Sequence, residues 1–123
     1  MSDNYEIKDS FYSDGSLCRK EFLKNGKLHR EGDLPAVIYY KSGKVSSEQY
    51  YQKGKRHREG DLPAVIYYRE SGEVCGEEYY QNGVRHRDGD LPAQIWYRGS
   101  GEVYEIRFYS EGRFLFRLDR RTG

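Results

Sequence analysis

The feature that most constrains this chain is its internal repetition. KLHREGDLPAVIYY (27–40), KRHREGDLPAVIYY (55–68) and VRHRDGDLPAQIWY (84–97) align at spacings of 28 and 29 residues. A second element alternates with them: KEFLKNG (20–26), EQYYQKG (48–54), EEYYQNG (77–83) and IRFYSEG (106–112). A period of this size marks a stack of similar units rather than a globule with one unrepeated core. Gly15, Gly26, Gly43, Gly54, Gly72, Gly83, Gly101 and Gly112 recur at intervals of 11, 17, 11, 18, 11, 18 and 11. Each follows a small, polar or charged residue, as in Asn25-Gly26 and Asn82-Gly83. Such pairs mark tight hairpins, whose turns need positive φ.

Eight turns imply about nine strands, near 5–12, 17–23, 36–41, 45–52, 64–69, 74–81, 93–98, 103–110 and 113–119. The shorter interval holds one strand and its turn. The longer adds an inserted loop, HREGDLP or HRDGDLP. No segment keeps a helical 3–4 period. The expected fold is therefore all-β: a single-layer antiparallel meander of stacked β-hairpins, a solenoid of about nine strands. Strands ~4.8 Å apart make an array on the order of 40 Å long. The expected units are about 1–28, 29–56, 57–85 and 86–112, with 113–123 as a C-terminal cap strand in one array spanning 1–123.

Only 36% of the residues are hydrophobic and 33% are charged, a balance typical of disorder, but 13 tyrosines change the argument. Tyrosine buries a large ring and keeps a hydroxyl for a partner, so a thin sheet can be stable with little aliphatic core. Net charge is +1, from 21 basic and 20 acidic residues, which gives no field to draw in nucleic acid or anionic membrane. There is no apolar run of membrane-spanning length and no signal-peptide pattern, so the expected location is inside the cell, in cytoplasm or nucleus.

At YYQNGVRHRDGDLPA and YYQKGKRHREGDLPAVIYY the sequence resembles MORN-type repeats, nearest the YYxNGxxxxE variant of bacterial antitoxin-like repeat proteins. The added HRxGDLPA segment is similar to arrays of large DNA viruses of amoebae, the marseillevirus-like group. The likeness spans about residues 11–112. It implies stacked hairpins and roles in protein or lipid interaction and assembly, with a virion component or host-interacting protein as the viral form of that expectation. The chain departs from the family in lacking the usual glycine-rich spacing, and no catalytic domain accompanies the repeats.

The three histidines (His29, His57, His86) and three prolines (Pro35, Pro63, Pro92) all lie in the inserted loops, beside Asp33, Asp61 and Asp90. A row of His/Asp metal or acid–base sites is one reading. The other, preferred, is a fixed corner: Gly32, Gly60 and Gly89 supply permissive φ, the aspartates cap loop amides, and Leu34, Leu62 and Leu91 plug the end of the sheet. One histidine per loop is too few for a structural zinc site, and an active site needs one unique constellation. No catalytic residue, metal or cofactor is expected.

Arg30, Arg58 and Arg87 form a row that reads either as a phosphate-binding stripe or, preferred, as a lattice with the adjacent Glu31, Glu59 and Asp88. Paired aromatics place one ring on each sheet face. One ladder is expected in a core with Ala36, Ile38, Ala64, Ile66, Ala93 and Ile95. The other, drawn from Tyr40, Tyr51, Tyr68, Tyr80 and Tyr97, is a candidate interaction surface with the arginine row, or cross-strand pairing that stiffens the sheet. Cys18 and Cys75 stand two units apart and are expected as free thiols. In RFLFRLDRRTG, Phe114, Phe116 and Leu118 are expected on one face of a last edge strand, as a self-association site for a homodimer; the alternative is a cap folded over the last hairpin, kept soluble by Arg117, Arg120 and Arg121. The expected function is a non-enzymatic protein-interaction scaffold; the alternative is nucleic-acid binding through the aromatic ladder and arginine row.

Overall fold

The computed structural model describes residues 5–119 and contains no helix among them. Nine strands form one antiparallel meander: β1 (Tyr5–Phe11), β2 (Leu17–Lys24), β4 (Val37–Lys41), β5 (Lys44–Gln49), β8 (Val65–Tyr68), β9 (Val74–Glu78), β12 (Gln94–Tyr97), β13 (Val103–Ser110) and β14 (Arg113–Asp119), in that order across the sheet. The sheet does not close into a barrel, leaving β1 and β14 as its edges. No helix among the described residues is long and apolar enough to cross a membrane.

Five short strands interrupt the expected pattern: β3 (Lys27–Leu28), β6 (Tyr51–Gln52), β7 (Lys55–Arg56), β10 (Tyr80–Gln81) and β11 (Val84–Arg85). β3 pairs with β2, while β6–β7 and β10–β11 form separate two-stranded ladders. The strands expected at 45–52 and 74–81 therefore break at Tyr50 and Tyr79. The two ends of the inserted loop satisfy the backbone there. Tyr50 N–H donates to the Ala64 carbonyl at 2.7 Å, and His57 N–H donates to the Tyr50 carbonyl at 3.1 Å. Tyr79 repeats this with Ala93 and His86. Turns such as Lys53-Gly54 and Glu111-Gly112 carry two successive positive φ values, 51° and 83°, 49° and 84°. That is the form whose twist suits a two-residue hairpin.

Register defines the two faces. One rung runs Val37–Gln49–Val65–Glu78–Gln94, with exposures of 2, 7, 0, 5 and 4%. The rung beside it runs Tyr39–Ser47–Tyr67–Gly76–Trp96. This is the inner face. The outer face carries Ile38–Glu48–Ile66–Glu77–Ile95–Ile106, each half-buried. The expected core is thus corrected in part. Ala36, Ala64 and Ala93 are fully buried, and Ile66 packs against the cluster of Tyr50, Ala64, Val65 and Tyr80, but the isoleucines as a row are only half-buried on the outer face, and Val37 and Val65 join the buried aliphatics.

The core is polar because the hairpin arms meet it with arginines. Arg56 Nη2 donates to Gln49 Oε1 at 3.2 Å, and Arg85 Nη2 to Glu78 Oε2 at 3.4 Å. Gln94 Nε2 also donates to Glu78 Oε2, at 2.5 Å. A buried carboxylate is tolerable when its lone pairs are taken in this way. Cys18 and Cys75 are free thiols, on β2 and β9, four strand positions apart. That is roughly 19 Å, beyond the ~7 Å reach of a disulfide.

Candidate interaction surfaces

At one end of the sheet the inserted loops meet the hairpin turns of the next unit, and here the repeated side chains link units together. His29 Nδ1 accepts from the backbone N–H of Lys53 at 3.0 Å, His57 Nδ1 from Asn82 at 3.0 Å, and His86 Nδ1 from Glu111 at 2.9 Å. Each donor is the first residue of the next unit's two-residue turn. An Nδ1 that accepts leaves Nε2 to carry the ring proton. Nε2 of His57 bonds Glu59, and Nε2 of His86 lies 2.6 Å from Asp88. Among the described residues, no three His, Cys, Asp or Glu side chains converge closely enough to hold a metal ion.

The arginine row binds backward. Arg58 presents Nε and Nη2 to the Asp33 carboxylate at 2.9 and 3.2 Å, and Arg87 does the same to Asp61 at 2.9 and 3.3 Å. The lattice therefore runs to the preceding loop, and the adjacent acids expected as partners lie beside the histidines instead. Each arginine also donates Nη1 to its own loop's proline carbonyl: Arg30 to Pro35 at 3.2 Å, Arg58 to Pro63 at 3.0 Å and Arg87 to Pro92 at 3.1 Å. Their guanidinium carbons lie 3.8, 3.8 and 3.9 Å from the ring centres of Phe22, Tyr50 and Tyr79. Contacts this close are planar stacking of fork on ring. Only 13 and 14% of the Arg58 and Arg87 side chains remain exposed, so little of either is left for an external phosphate.

Asp33, Asp61 and Asp90 have positive φ (54°, 55° and 57°) after Gly32, Gly60 and Gly89 at 82° each, so the loops turn as the permissive glycines suggest. Their carboxylates hold arginines rather than capping amides, except Asp90, which is exposed and has no partner among the described residues. Leu34, Leu62 and Leu91 do not plug the sheet. They stand outward at 45, 41 and 40% exposure.

A hydrogen bond from Arg58 pulls the Asp33 carboxyl below its ordinary value of 3.8, and one from Arg87 does so for Asp61. A depressed folded value stabilises the fold above the ordinary carboxylate range and loses that contribution as pH falls through it. Thermal melts should therefore be flat between about pH 5 and 7 and fall below about pH 4. Asp33→Asn with Asp61→Asn should flatten part of that acid limb. An unchanged acid limb in the double variant would remove these pairs from the explanation.

A second ladder runs beneath the hairpin arms. Arg56 sits between Tyr51 and Tyr80, its guanidinium 5.7 and 5.4 Å from their ring centres; Arg85 sits between Tyr80 and Tyr109, at 5.7 and 5.2 Å. Tyr80 is thereby 7% exposed and offers no surface to a partner; Tyr51 is half-buried. On the outer face, Tyr68 donates its hydroxyl to Glu48 and Tyr97 to Glu77, both at 2.5 Å; Tyr40 is the equivalent half-buried residue of the preceding unit. Burial, then the glutamate hydrogen bond, holds the Tyr68 and Tyr97 hydroxyls far above the usual tyrosine range, so they remain donors.

The last strand departs from the expected alternation. Phe116 pairs with Phe108 but Phe114 pairs with Tyr109, leaving Leu115 as the extra residue of a bulge. Phe108 and Tyr109 are neighbours pointing to opposite faces. Phe114 therefore lies opposite Phe116 and Leu118 rather than beside them. Phe116 stacks on Phe108 at 4.5 Å between ring centres, and Phe114 meets Tyr109 edge-on at 5.4 Å. Phe116 stands eight residues after Phe108, as Arg87 does after Tyr79; Phe114 stands five after Tyr109, as Arg85 does after Tyr80. The final unit thus replaces both stacking arginines with phenylalanines. Both remain about half-exposed, at 50 and 49%, and Leu118 at 56%. Arg117 lies 3.6 Å from Asp119; Arg120 and Arg121, expected to keep a cap soluble, lie outside the described residues.

Together these features define a class: a β-hairpin repeat array whose charged side chains bind its own units together. Compared with known proteins, the chain matches no family model, no curated protein and no solved structure.

Proposed function

We propose that the chain is a non-enzymatic scaffold that binds a protein partner on its outer sheet face. One observation carries this reading. The histidines, arginines and aspartates that chemistry would need recur unit by unit, and most are spent within the array: the histidines on the next unit's turn, Arg58 on Asp33 and Arg87 on Asp61. What the array offers is a repeated surface. The isoleucine row Ile38, Ile66, Ile95 and Ile106 alternates with Glu48 and Glu77, beside Tyr40, Tyr68 and Tyr97, and each of these residues keeps part of its surface exposed. A mixed apolar, aromatic and hydrogen-bonding face is the composition of a protein-recognition surface.

The test is capture from the producing cell with the intact array as bait, cross-linked and mapped, beside Ile66→Lys. A partner that maps to the outer face and is lost in the variant supports the scaffold. Capture unaffected by Ile66→Lys sinks the assignment of this face. A gel shift with mixed-sequence DNA and RNA that fades with salt would move the reading to nucleic acid.

A further inference from the structure

We infer that the junctions between units are pH-operated: each histidine holds the next unit's turn only while its ring is neutral, and protonation releases that one tie. This goes beyond the partner-binding reading and does not depend on it, since it concerns ring nitrogens at the loop edge and not the outer face.

Each junction is made of ties of different kinds. At the first, the Lys53 N–H donates to His29 Nδ1 at 3.0 Å, the Gly54 N–H to the Leu28 carbonyl at 2.8 Å, and Gln52 Nε2 to the Arg30 carbonyl at 3.0 Å. The second repeats the set. Asn82 N–H donates to His57 Nδ1 at 3.0 Å, Gly83 N–H to the Arg56 carbonyl at 2.8 Å, and Gln81 Nε2 to the Arg58 carbonyl at 3.2 Å. At the third, the Glu111 N–H reaches His86 Nδ1 at 2.9 Å and the Gly112 N–H reaches the Arg85 carbonyl at 2.7 Å. Of these acceptors, only the imidazole belongs to a side chain that ordinarily changes its proton count between about pH 5 and 8. A carbonyl accepts throughout that range; an Nδ1 that has taken a proton does not.

An imidazolium donates from both nitrogens, so turning the ring over restores nothing. The backbone N–H of the turn then faces a second N–H, and the two must part. Which side yields follows from the other nitrogen. Nε2 is anchored by a carboxylate of its own loop: Glu59 for His57, Asp88 for His86 and, at 3.6 Å, Glu31 for His29. A charged ring holds such a carboxylate more strongly than a neutral one. The ring therefore stays with its loop, and the turn is released.

Other charges stand near the rings. His57 shares an open cleft with Glu31, Asp33, Lys53, Lys55, Arg58 and Glu59, of which Arg58 and Asp33 neutralise each other. His29 lines a cleft with Lys24, Lys27, Glu31 and Lys53, and Lys24 is bonded to Glu31 at 2.6 Å. His86 has Asp88 at Nε2 and Glu111 on the turn that it holds. The bond lost at Nδ1 is offset by the stronger one at Nε2, so the change is one of contact more than of overall stability.

Nuclear magnetic resonance of the intact chain, followed from about pH 7.5 to 5, tests this through ring-nitrogen shifts and backbone amide exchange. At the upper pH the three rings should carry their proton on Nε2. As they titrate, protection of the Lys53, Asn82 and Glu111 amides should fall about tenfold, while that of Gly54, Gly83 and Gly112 should change less than about twofold. His57→Asn puts a non-titrating oxygen near the place of Nδ1 and should keep the Asn82 amide protected across the range. His57→Ala should open that amide at every pH and leave the Lys53 and Glu111 amides titrating as before. Should the variants at 57 melt early, His86→Asn repeats the test at Glu111. Turn amides that keep their protection while the rings take up protons overturn the inference, as do rings that stay neutral down to the lowest pH. Glycine amides that open together with the others overturn it too, because the loosening would then be general.

Discussion

Replacing Gly76 with serine should lower the melting temperature by on the order of 10 °C, and adding Trp96→Tyr to that variant should recover most of the loss. A Cβ at Gly76 would stand 2.2 Å from Trp96 Cζ3, 2.4 Å from Cε3 and 3.2 Å from Tyr67 Cδ2. The two rings stack across this rung with centres 5.5 Å apart, so the indole has no free space to yield into on that side. Forcing it aside costs about 2–3 kcal/mol, in the usual range for overpacking. The equivalent rung one unit earlier shows the remedy. There Ser47 stands between Tyr39 and Tyr67. Glycine at 76 and tryptophan at 96 are therefore a matched pair. A double-mutant cycle should give a coupling of at least about 1 kcal/mol in favour of the serine–tyrosine combination. If Gly76→Ser melts with the wild type, the close approach of ring and backbone is not a constraint.

Arg58→Ala should destabilise the array by about 2–3 kcal/mol, the summed loss of a forked ion pair, a carbonyl hydrogen bond and a stacked ring. Arg30→Ala is the internal control. Arg30 keeps the stack on Phe22 and the bond to Pro35, but no preceding aspartate holds it among the described residues. Its loss should cost about 1–2 kcal/mol, and the difference reports what the aspartate contributes at a half-exposed position. Arg58→Lys should recover less than half, because an ammonium cannot make the fork or lie flat on Tyr50. Chemical denaturation of the three variants decides the matter. Equal losses at Arg30 and Arg58 would mean that the Asp33 clamp adds nothing.

The glycine ruler made the meander legible before any coordinates. All nine main strands lie within a residue or three of the spans that the turns imply, because a tight reversal restricts residue type more sharply than a strand does. Which face is buried was not legible. Val37-Ile38 and Val65-Ile66 are apolar on both sides of the pleat, so alternation alone cannot choose. The choice comes from the hairpin arms, whose Arg56 and Arg85 draw Gln49 and Glu78 inward. The direction of the Arg58 and Arg87 clamps was hidden for a similar reason. Asp33 lies 25 residues from Arg58, and an acid one residue away looks the nearer partner until the stacking of loops is known. The bulge at Leu115 has no residue signature of its own, since glycine marks such sites only when φ must be positive. A signal was present for the stacking ladders: a basic or aromatic residue six and eight positions after the pairs that begin at Tyr50, Tyr79 and Phe108, legible only once the repeats are aligned.

That last pattern sets the final described hairpin apart from the earlier ones. Eight residues after its aromatic, Arg58 or Arg87 reaches back to the loop before, whereas Phe116 closes on its own hairpin. Two residue choices, Phe114 and Phe116, thus decide whether a hairpin offers sockets to a neighbouring loop. A 29-residue module copied between Gly54 and Gly83 would bring its own histidine, arginine and aspartate and find every socket already waiting. The same module added after Gly112 would find none until Phe114 and Phe116 were returned to arginine.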